Sequence, residues 1–207
     1  MKADLDRRAA RHAQTCDEIL DAAAELVTER GVDALNLSEL ATRAGFGSAP
    51  SLYRYFPSKD AIVAALAQRG LRRLGDHMAQ VPDDLPPAEQ LVELCLAYLD
   101  YARAHPGERR LLLTTAAAIA PSDRAAILPN QFVNRMFGLV RGAIEDGALV
   151  ARDEGDVFAL LHAAWALAHG WAEYDSLYDD PEREVLKSRQ RAVFRAYFAG
   201  FRSDWTA

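Results

Sequence analysis

Between Asn36 and Ser58 the chain has room for two very short helices and little else. The run Asn36-Leu-Ser-Glu39 has the spacing of a capping box, in which Asn36 accepts from a first-turn N–H and Glu39 reaches back. The helix it opens turns Leu40, Ala41 and Ala44 inward and stops at Gly45. The residues that follow, G-F-G-S-A-P-S-L-Y-R-Y-F, begin as a turn. Ala49 precedes a proline and is biased away from the α region, whereas Pro50 suits a first helical position. The spacing predicts a helix from about Pro50 through Phe56, ended by Pro57, with Ser58 as the N-cap of the next helix and Asp60 in its first turn. Leu52 and Phe56 stand at i and i+4, share a face and pack inward.

Helical periodicity extends through the rest of the chain. Cys16, Ile19, Leu20, Ala23, Leu26 and Val27 recur at three and four, and Gly31 ends that helix behind Arg30. A helix from Lys59 to about Gln80 carries Ile62, Val63, Leu66, Leu71, Leu74 and Met78. The P-D-D-L-P-P stretch at 82–87 reads as a linker. Further helical patterns cover about 88–104, 107–118, 122–147, 154–178 and 182–203, with a break expected at Pro129. No hairpin signal, repeat or low-complexity tract interrupts them. The expected fold is all-α: an N-terminal three-helix module at 1–64, a connecting helix at about 59–80, and a larger helical domain at 82–207.

Charge narrows the partners. The 24 basic residues are outnumbered by 30 acidic ones, for a net charge of −6, which by itself argues against nucleic acid. The distribution along the chain argues the other way. Residues 13–35 hold six acids and one base, Arg30, whereas 36–74 hold six bases and two acids. A basic segment acts locally despite a negative total. No apolar run approaches the ~20 residues that span a bilayer, so no membrane partner is expected. The N-terminus has charge but no apolar core of a secretory signal, which points to the cytoplasm. Cys16 and Cys95 lie in apolar helical patterns and read as reduced core residues; no metal site and no cofactor are expected.

Two short helices joined by a glycine turn make a helix-turn-helix, whose second helix enters the DNA major groove. With Leu52 and Phe56 inward, Tyr53, Arg54 and Tyr55 point toward solvent or a ligand. Tyrosine hydroxyls and arginine bind phosphate oxygens, and arginine also pairs with guanine. Lys59 opens the next helix, where added positive charge suits an anion. The alternative is a helical hairpin whose two tyrosines pack on neighbouring helices.

The run from Ala9 to about Leu66 resembles the N-terminal domain of TetR-family transcriptional regulators. The matching pieces are E-R-G at 29–31, L-x-x-L-A-x-x-A-G at 37–45, and L-Y-R-Y-F-P-S-K-D-A-I at 52–62. The resemblance implies a homodimer of all-α subunits, each with a DNA-binding head and a ligand-sensing body. It places Tyr53 and Lys59 on phosphates and Tyr55 where a His or Tyr often does the same. Gly45 to Tyr53 is eight positions where the family commonly has seven, and Asn36 stands where it often has Thr, leaving Ser38 to provide a hydroxyl. The candidate DNA contacts are Ser38, Arg43, Ser48, Ala49, Ser51, Tyr53, Arg54, Tyr55 and Lys59. The bases of 36–74 would face DNA, joined by an N-terminal arm bearing Lys2, Arg7, Arg8 and Arg11, or that arm is a frayed, solvated end.

In the second domain, His162, Trp165 and His169 form one stripe of a helix. They could line a pocket, hold a metal or pack as core; no second ligand cluster completes a metal site. Trp165, His169 and Gly170 also resemble the Trp-x-x-x-His-Gly motif of a TetR subgroup, and A-H-P-G-E-R-R-L-L at 104–112 fits it too. The family pairs its last two helices across a two-fold axis, which makes Val157, Leu160, Leu161, Ala164, Val193, Phe194, Tyr197 and Phe198 the interface candidates. Leu96, Tyr98, Leu112, Phe132, Met136, Phe137, Trp165 and His169 are the candidate effector pocket, suited to an apolar or aromatic small molecule. The expected function is a ligand-responsive, dimeric DNA-binding regulator, a repressor released from a palindromic operator by its effector. The rivals are an all-α protein-interaction module and an all-α enzyme; no G-x-S-x-G, glycine-rich phosphate loop or paired metal motif supports the enzyme.

Overall fold

The computed structural model describes the backbone of residues 2–109, 111, 130–175, 177 and 180–201, with the side chains of 2–5, 130–133, 180, 181 and 183 set aside. All regular elements among them are helical: α1 (Lys2–Arg30), α2 (Leu37–Arg43), a 3₁₀ helix (Ala49–Arg54), α3 (Lys59–Met78), α4 (Pro87–Ala104), α5 (Asn130–Glu145), α6 (Glu154–Asp175) and α7 (Asp180–Ala199). Residues 106–109 add a helical turn. The expected span 107–118 and the expected break at Pro129 lie mostly or wholly outside the described residues.

Two compact units emerge, residues 1–71 with 105–124 and residues 72–104 with 125–207. The division therefore falls inside α3 and returns 105–124 to the first unit, instead of following the 82–87 stretch. That stretch is no free linker. Gln90, buried on α4, donates through Nε2 to the carbonyls of Asp83 at 3.1 Å and Leu85 at 2.8 Å. Arg135 on α5 reaches the carbonyl of Val81 at 2.9 Å and Gln90 Oε1 at 3.2 Å. Prolines set the path of this segment, and two side chains supply the partners its backbone would otherwise lack.

In the first unit, Ile19, Leu20, Ala23, Leu26 and Val27 of α1 form a buried face that meets Leu40, Ala41, Leu52, Phe56, Ile62 and Leu66, with Leu111 joining the same core. Gly31 adopts φ 84° behind α1 and Gly45 φ 78° behind α2. At Gly45 the bonds are those of a Schellman stop: Phe46 N donates to Ala41 O at 2.7 Å and Gly45 N to Thr42 O at 3.1 Å. The capping box at α2 is only half made. Asn36 Oδ1 accepts from the N–H groups of Ser38 at 2.8 Å and Glu39 at 3.2 Å. Glu39 does not reach back, because its carboxylate is held by both terminal nitrogens of Arg30 at 2.9 Å each. Ser58 caps α3 as expected, accepting from Ala61 N at 3.1 Å.

In the second unit, α4 packs against α5, α6 and α7. It buries residues around most of its circumference, from Leu91 and Val92 to Cys95, Tyr98, Leu99 and Tyr101, as a central helix must. Burial pushes the Cys95 thiol up to about 12, so it is an inert core residue, as expected. No helix among the described residues is long and apolar enough to cross a membrane.

Leu52 is 1% exposed and anchors a helix too short to persist alone. Leu52→Ala is expected to lower stability by about 2–5 kcal/mol, read as a fall in the urea midpoint at unchanged slope.

Candidate nucleic-acid interface

The segment after α2 is a 3₁₀ helix from Ala49 to Arg54, where the spacing predicts an ordinary helix from Pro50 to Phe56. Pro50 brings no donor to the first turn, and the bond from Ser51 N to Ser48 O at 3.1 Å closes around Ala49 and Pro50. Ser48 is extended before this turn, with φ −163° and ψ 152°. The short helix thus begins at Ala49, one residue before the expected start at Pro50. Its exit tightens onto Leu52, whose carbonyl accepts from Tyr55 N at 2.8 Å and Phe56 N at 3.0 Å. Leu52 and Phe56 point into the core, as the i, i+4 spacing predicts.

The anchoring decides what remains outside. Tyr53 is 53% exposed, and Ser38, Ser48 and Arg54 lie at the surface with it, Ala49 and Ser51 being half-buried. These residues share the surface around the 3₁₀ helix and the start of α2. Tyr55 is different: its ring is half-buried, 5.7 Å from that of Phe46 and 5.1 Å from that of His12. The Arg54 guanidinium lies 5.9 Å from the Tyr55 ring centre, a cation–π distance. Lys59 Nζ approaches the carbonyl of Asp33 at 3.3 Å. Sequence reasoning missed His12. The signal was its place four residues before Cys16, on the same helical face, where Cys16 Sγ and His12 Nδ1 lie 3.7 Å apart.

Two expectations about charge need correction. Residues 2–12 are not a separate arm; they continue α1 as helix, carrying Arg7, Arg8 and Arg11 on its first turns. Two bases of 36–74 are also paired with α1, Arg43 at the surface and Arg69 in the interior. Arg43 grips Glu29 of α1 through Nη1 at 2.6 Å and Nη2 at 3.2 Å, with Glu25 and Glu39 nearby. Arg69 is buried and bonds Asp21 at 2.7 Å and the carbonyl of Asp17 at 3.3 Å. The acidic stretch of α1 therefore pairs with neighbouring bases of its own unit.

In the second unit, the expected interface residues Val157, Leu160, Leu161, Ala164, Phe194 and Phe198 are all buried within the chain itself. Val193 and Tyr197 are half-buried, and Tyr197 donates to the Leu160 carbonyl at 2.8 Å, with its own pKa raised by burial to about 12. The exposed face of α6 instead carries Phe158, His162 and Trp165, with ring centres 5.8 and 6.1 Å apart. The stack continues to His169, 5.1 Å beyond Trp165, which is buried and bonded through Nδ1 to the Tyr98 hydroxyl. Of the expected pocket residues, this brings Tyr98, Trp165 and His169 together. Met136 and Phe137 are half-buried on α5, Leu96 lines a separate cleft, and Leu112 and the Phe132 side chain fall outside the described residues. No cluster of metal-binding side chains occurs among the described residues.

The same two regions match known families. Residues 19–66 match the family described as bacterial regulatory proteins, tetR family, and residues 91–177 match a tetracyclin repressor-like C-terminal domain. The chain belongs to the TetR family. The second match contains Trp165, His169 and Gly170. An uncharacterised HTH-type transcriptional regulator of Mycobacterium tuberculosis is 35% identical over 126 residues, covering 58% of this chain and 62% of that one. The tetracycline repressor protein class A from transposon 1721 of Escherichia coli is 36% identical over 97 residues, 44% of each chain. The chain thus matches less than two thirds of the length of these curated relatives. A tetR-family regulatory protein from Rhodococcus RHA1 superposes with a TM-score of 0.70 at 16% identity, covering 89% of this chain and 96% of that one. A protein of unknown function from Rhodococcus sp. RHA1 does so with a TM-score of 0.73 at 22% identity, covering 91% and 96%. These likenesses establish the fold.

The Arg43 bond holds the Glu29 carboxyl below its ordinary pKa. A lowered carboxylate pKa stabilises the fold above the ordinary carboxylate range and loses that contribution as pH falls through the folded value. Glu29→Gln is therefore expected to lower the melting temperature at pH 7 but to leave it close to wild type under strongly acidic conditions, as read by circular dichroism.

Proposed function

We propose that this chain is a DNA-binding transcriptional regulator that acts as a homodimer on a palindromic operator in the cytoplasm and is released by a small effector. The observation that carries the reading is the 3₁₀ helix, pinned at Leu52 and Phe56 and showing Tyr53 and Arg54 outward. A surface held this rigidly from below can meet a DNA backbone without further ordering. Tyr53, Ser38, Ser48 and Lys59 are assigned to phosphates, with Ser51, Ala49 and Arg54 facing base edges. Tyr55 takes a phosphate through its hydroxyl while His12 and Phe46 hold its ring. Arg43 is assigned to the α1 ion pairs instead.

The dimer reading rests on α6, which is apolar on two faces. One face is satisfied within the chain; the other leaves Phe158 60% and Trp165 39% exposed beside His162. A second copy placed across a two-fold axis would bury both. The effector is assigned to the body around Tyr98, Trp165 and His169, where a polar hydroxyl–imidazole pair adjoins an aromatic stack suited to an apolar or aromatic molecule. Effector binding releases DNA if it favours a state whose heads no longer match the operator half-sites.

Two measurements check this. A gel shift with the DNA upstream of the protein's own gene is expected to show retardation that weakens with salt. Tyr53→Ala should reduce affinity with the fold intact, and Lys59→Ala should flatten the logarithmic salt slope by about one. No retardation at low salt by a confirmed dimer would count against DNA binding. Separately, Phe158→Asp combined with Trp165→Glu is expected to give a monomer in sedimentation velocity with unchanged helix content; a persisting dimer would place the interface elsewhere.

A further inference from the structure

The second unit holds a cleft of about 550 Å³ lined by the end of α3 and residues 80–82 beyond it, one side of α4 and the middle of α7. Its volume lies within the range of small-molecule sites. None of Tyr98, Trp165 and His169 lines it, so it is separate from the aromatic stack. Part of its lining is apolar, from Val81, Pro82, Leu96 and Ala97. The remainder is polar and includes Arg103, Lys187, Gln190 and Arg191 together with the acids Glu93 and Asp100.

The hydrogen-bonding capacity of that polar part is unbalanced. Both acids are already engaged: Glu93 accepts from Arg191 at 3.0 Å and Asp100 from Arg103 at 2.9 Å. Lys187 is held by Glu184 at 2.6 Å. Gln190 is only 4% exposed, yet its Nε2 is buried with no hydrogen-bond partner among the described residues. Arg103 donates through Nε to Asp175 and through Nη1 to Asp100, but its Nη2 is likewise buried and without a partner among them. Both unmet groups are donors, one of them on a cation. A buried donor left unmet is costly, and such groups in folded proteins call for an acceptor.

We infer that this cleft binds a small monocarboxylate, whose oxygens accept from Gln190 and the Arg103 end while a short apolar body lies over Leu96, Ala97, Val81 and Pro82. A carboxylate gives charge-assisted bonds stronger than those of a neutral acceptor. The two carboxylates in the lining oppose a multiply charged anion such as phosphate, and the apolar part gives phosphate nothing to bury. The inference is independent of DNA binding and stands or falls without it.

The test is calorimetric titration of the full chain with hexanoate and with phenylacetate, using hexanol and inorganic phosphate as comparison probes. Saturable binding of the carboxylates is expected, with hexanol and phosphate at least tenfold weaker. Gln190→Leu, close in volume, should weaken the carboxylates by about tenfold, the loss of a hydrogen bond to a charged group. Its melting temperature should not fall, because it removes an unmet polar group. Ala97→Trp, which fills the cleft from α4, should abolish binding and decides the matter should the leucine variant misfold. The inference is overturned if neither carboxylate binds, if phosphate or hexanol binds as well, or if binding survives in a folded variant of either kind.

Discussion

A six-residue 3₁₀ helix has too few internal hydrogen bonds to hold a fixed orientation, and here two side chains hold it. Leu52 and Phe56 enter the core built by α1, α2 and the first half of α3. The left-handed Gly45 stop aims the chain into that core, and Phe46, the residue just beyond it, supports the Tyr55 ring. His12 also lies against that ring. The direction of Tyr53 and Arg54 follows from these contacts, so the surface proposed to meet DNA is a consequence of apolar packing beneath it.

Charge follows a similar logic. The acids of α1 are not merely a solvated outer face; Glu29 and Asp21 bind Arg43 and Arg69, and Glu39 of α2 turns back to Arg30. These pairs link α2 and α3 to α1. The exposed side chains of Tyr53 and Arg54 stand outside these pairs, in a chain whose total charge is −6. In the second unit, charged and amide side chains take a comparable structural part. Gln90 and Arg135 satisfy the backbone of 81–85 and turn an apparent linker into a built corner.

The existence and spacing of the helices were legible because glycine, proline and caps mark their ends. Gly31, Gly45 and Ser58 act as the residue types predict, and Leu52 and Phe56 face inward as i, i+4 requires. The pairing of faces was not legible. Val157, Leu160, Leu161 and Ala164 are apolar and periodic, which fits an internal face or a subunit interface equally well; the structure puts them inside and leaves Phe158 and Trp165 outside. Gln190 gave no signal at all, since an isolated glutamine in a charged helix reads as surface.

The amino-acid sequence by itself determined where the backbone turns and which short segment must show aromatic and basic side chains, because φ preferences, missing donors and helical period are local properties. Tertiary structure decided which charges are paired inside the chain, which apolar face stays open and which buried donors lack a partner among the described residues. Those outcomes depend on what another helix brings within hydrogen-bonding or van der Waals distance, and no single segment encodes its neighbour.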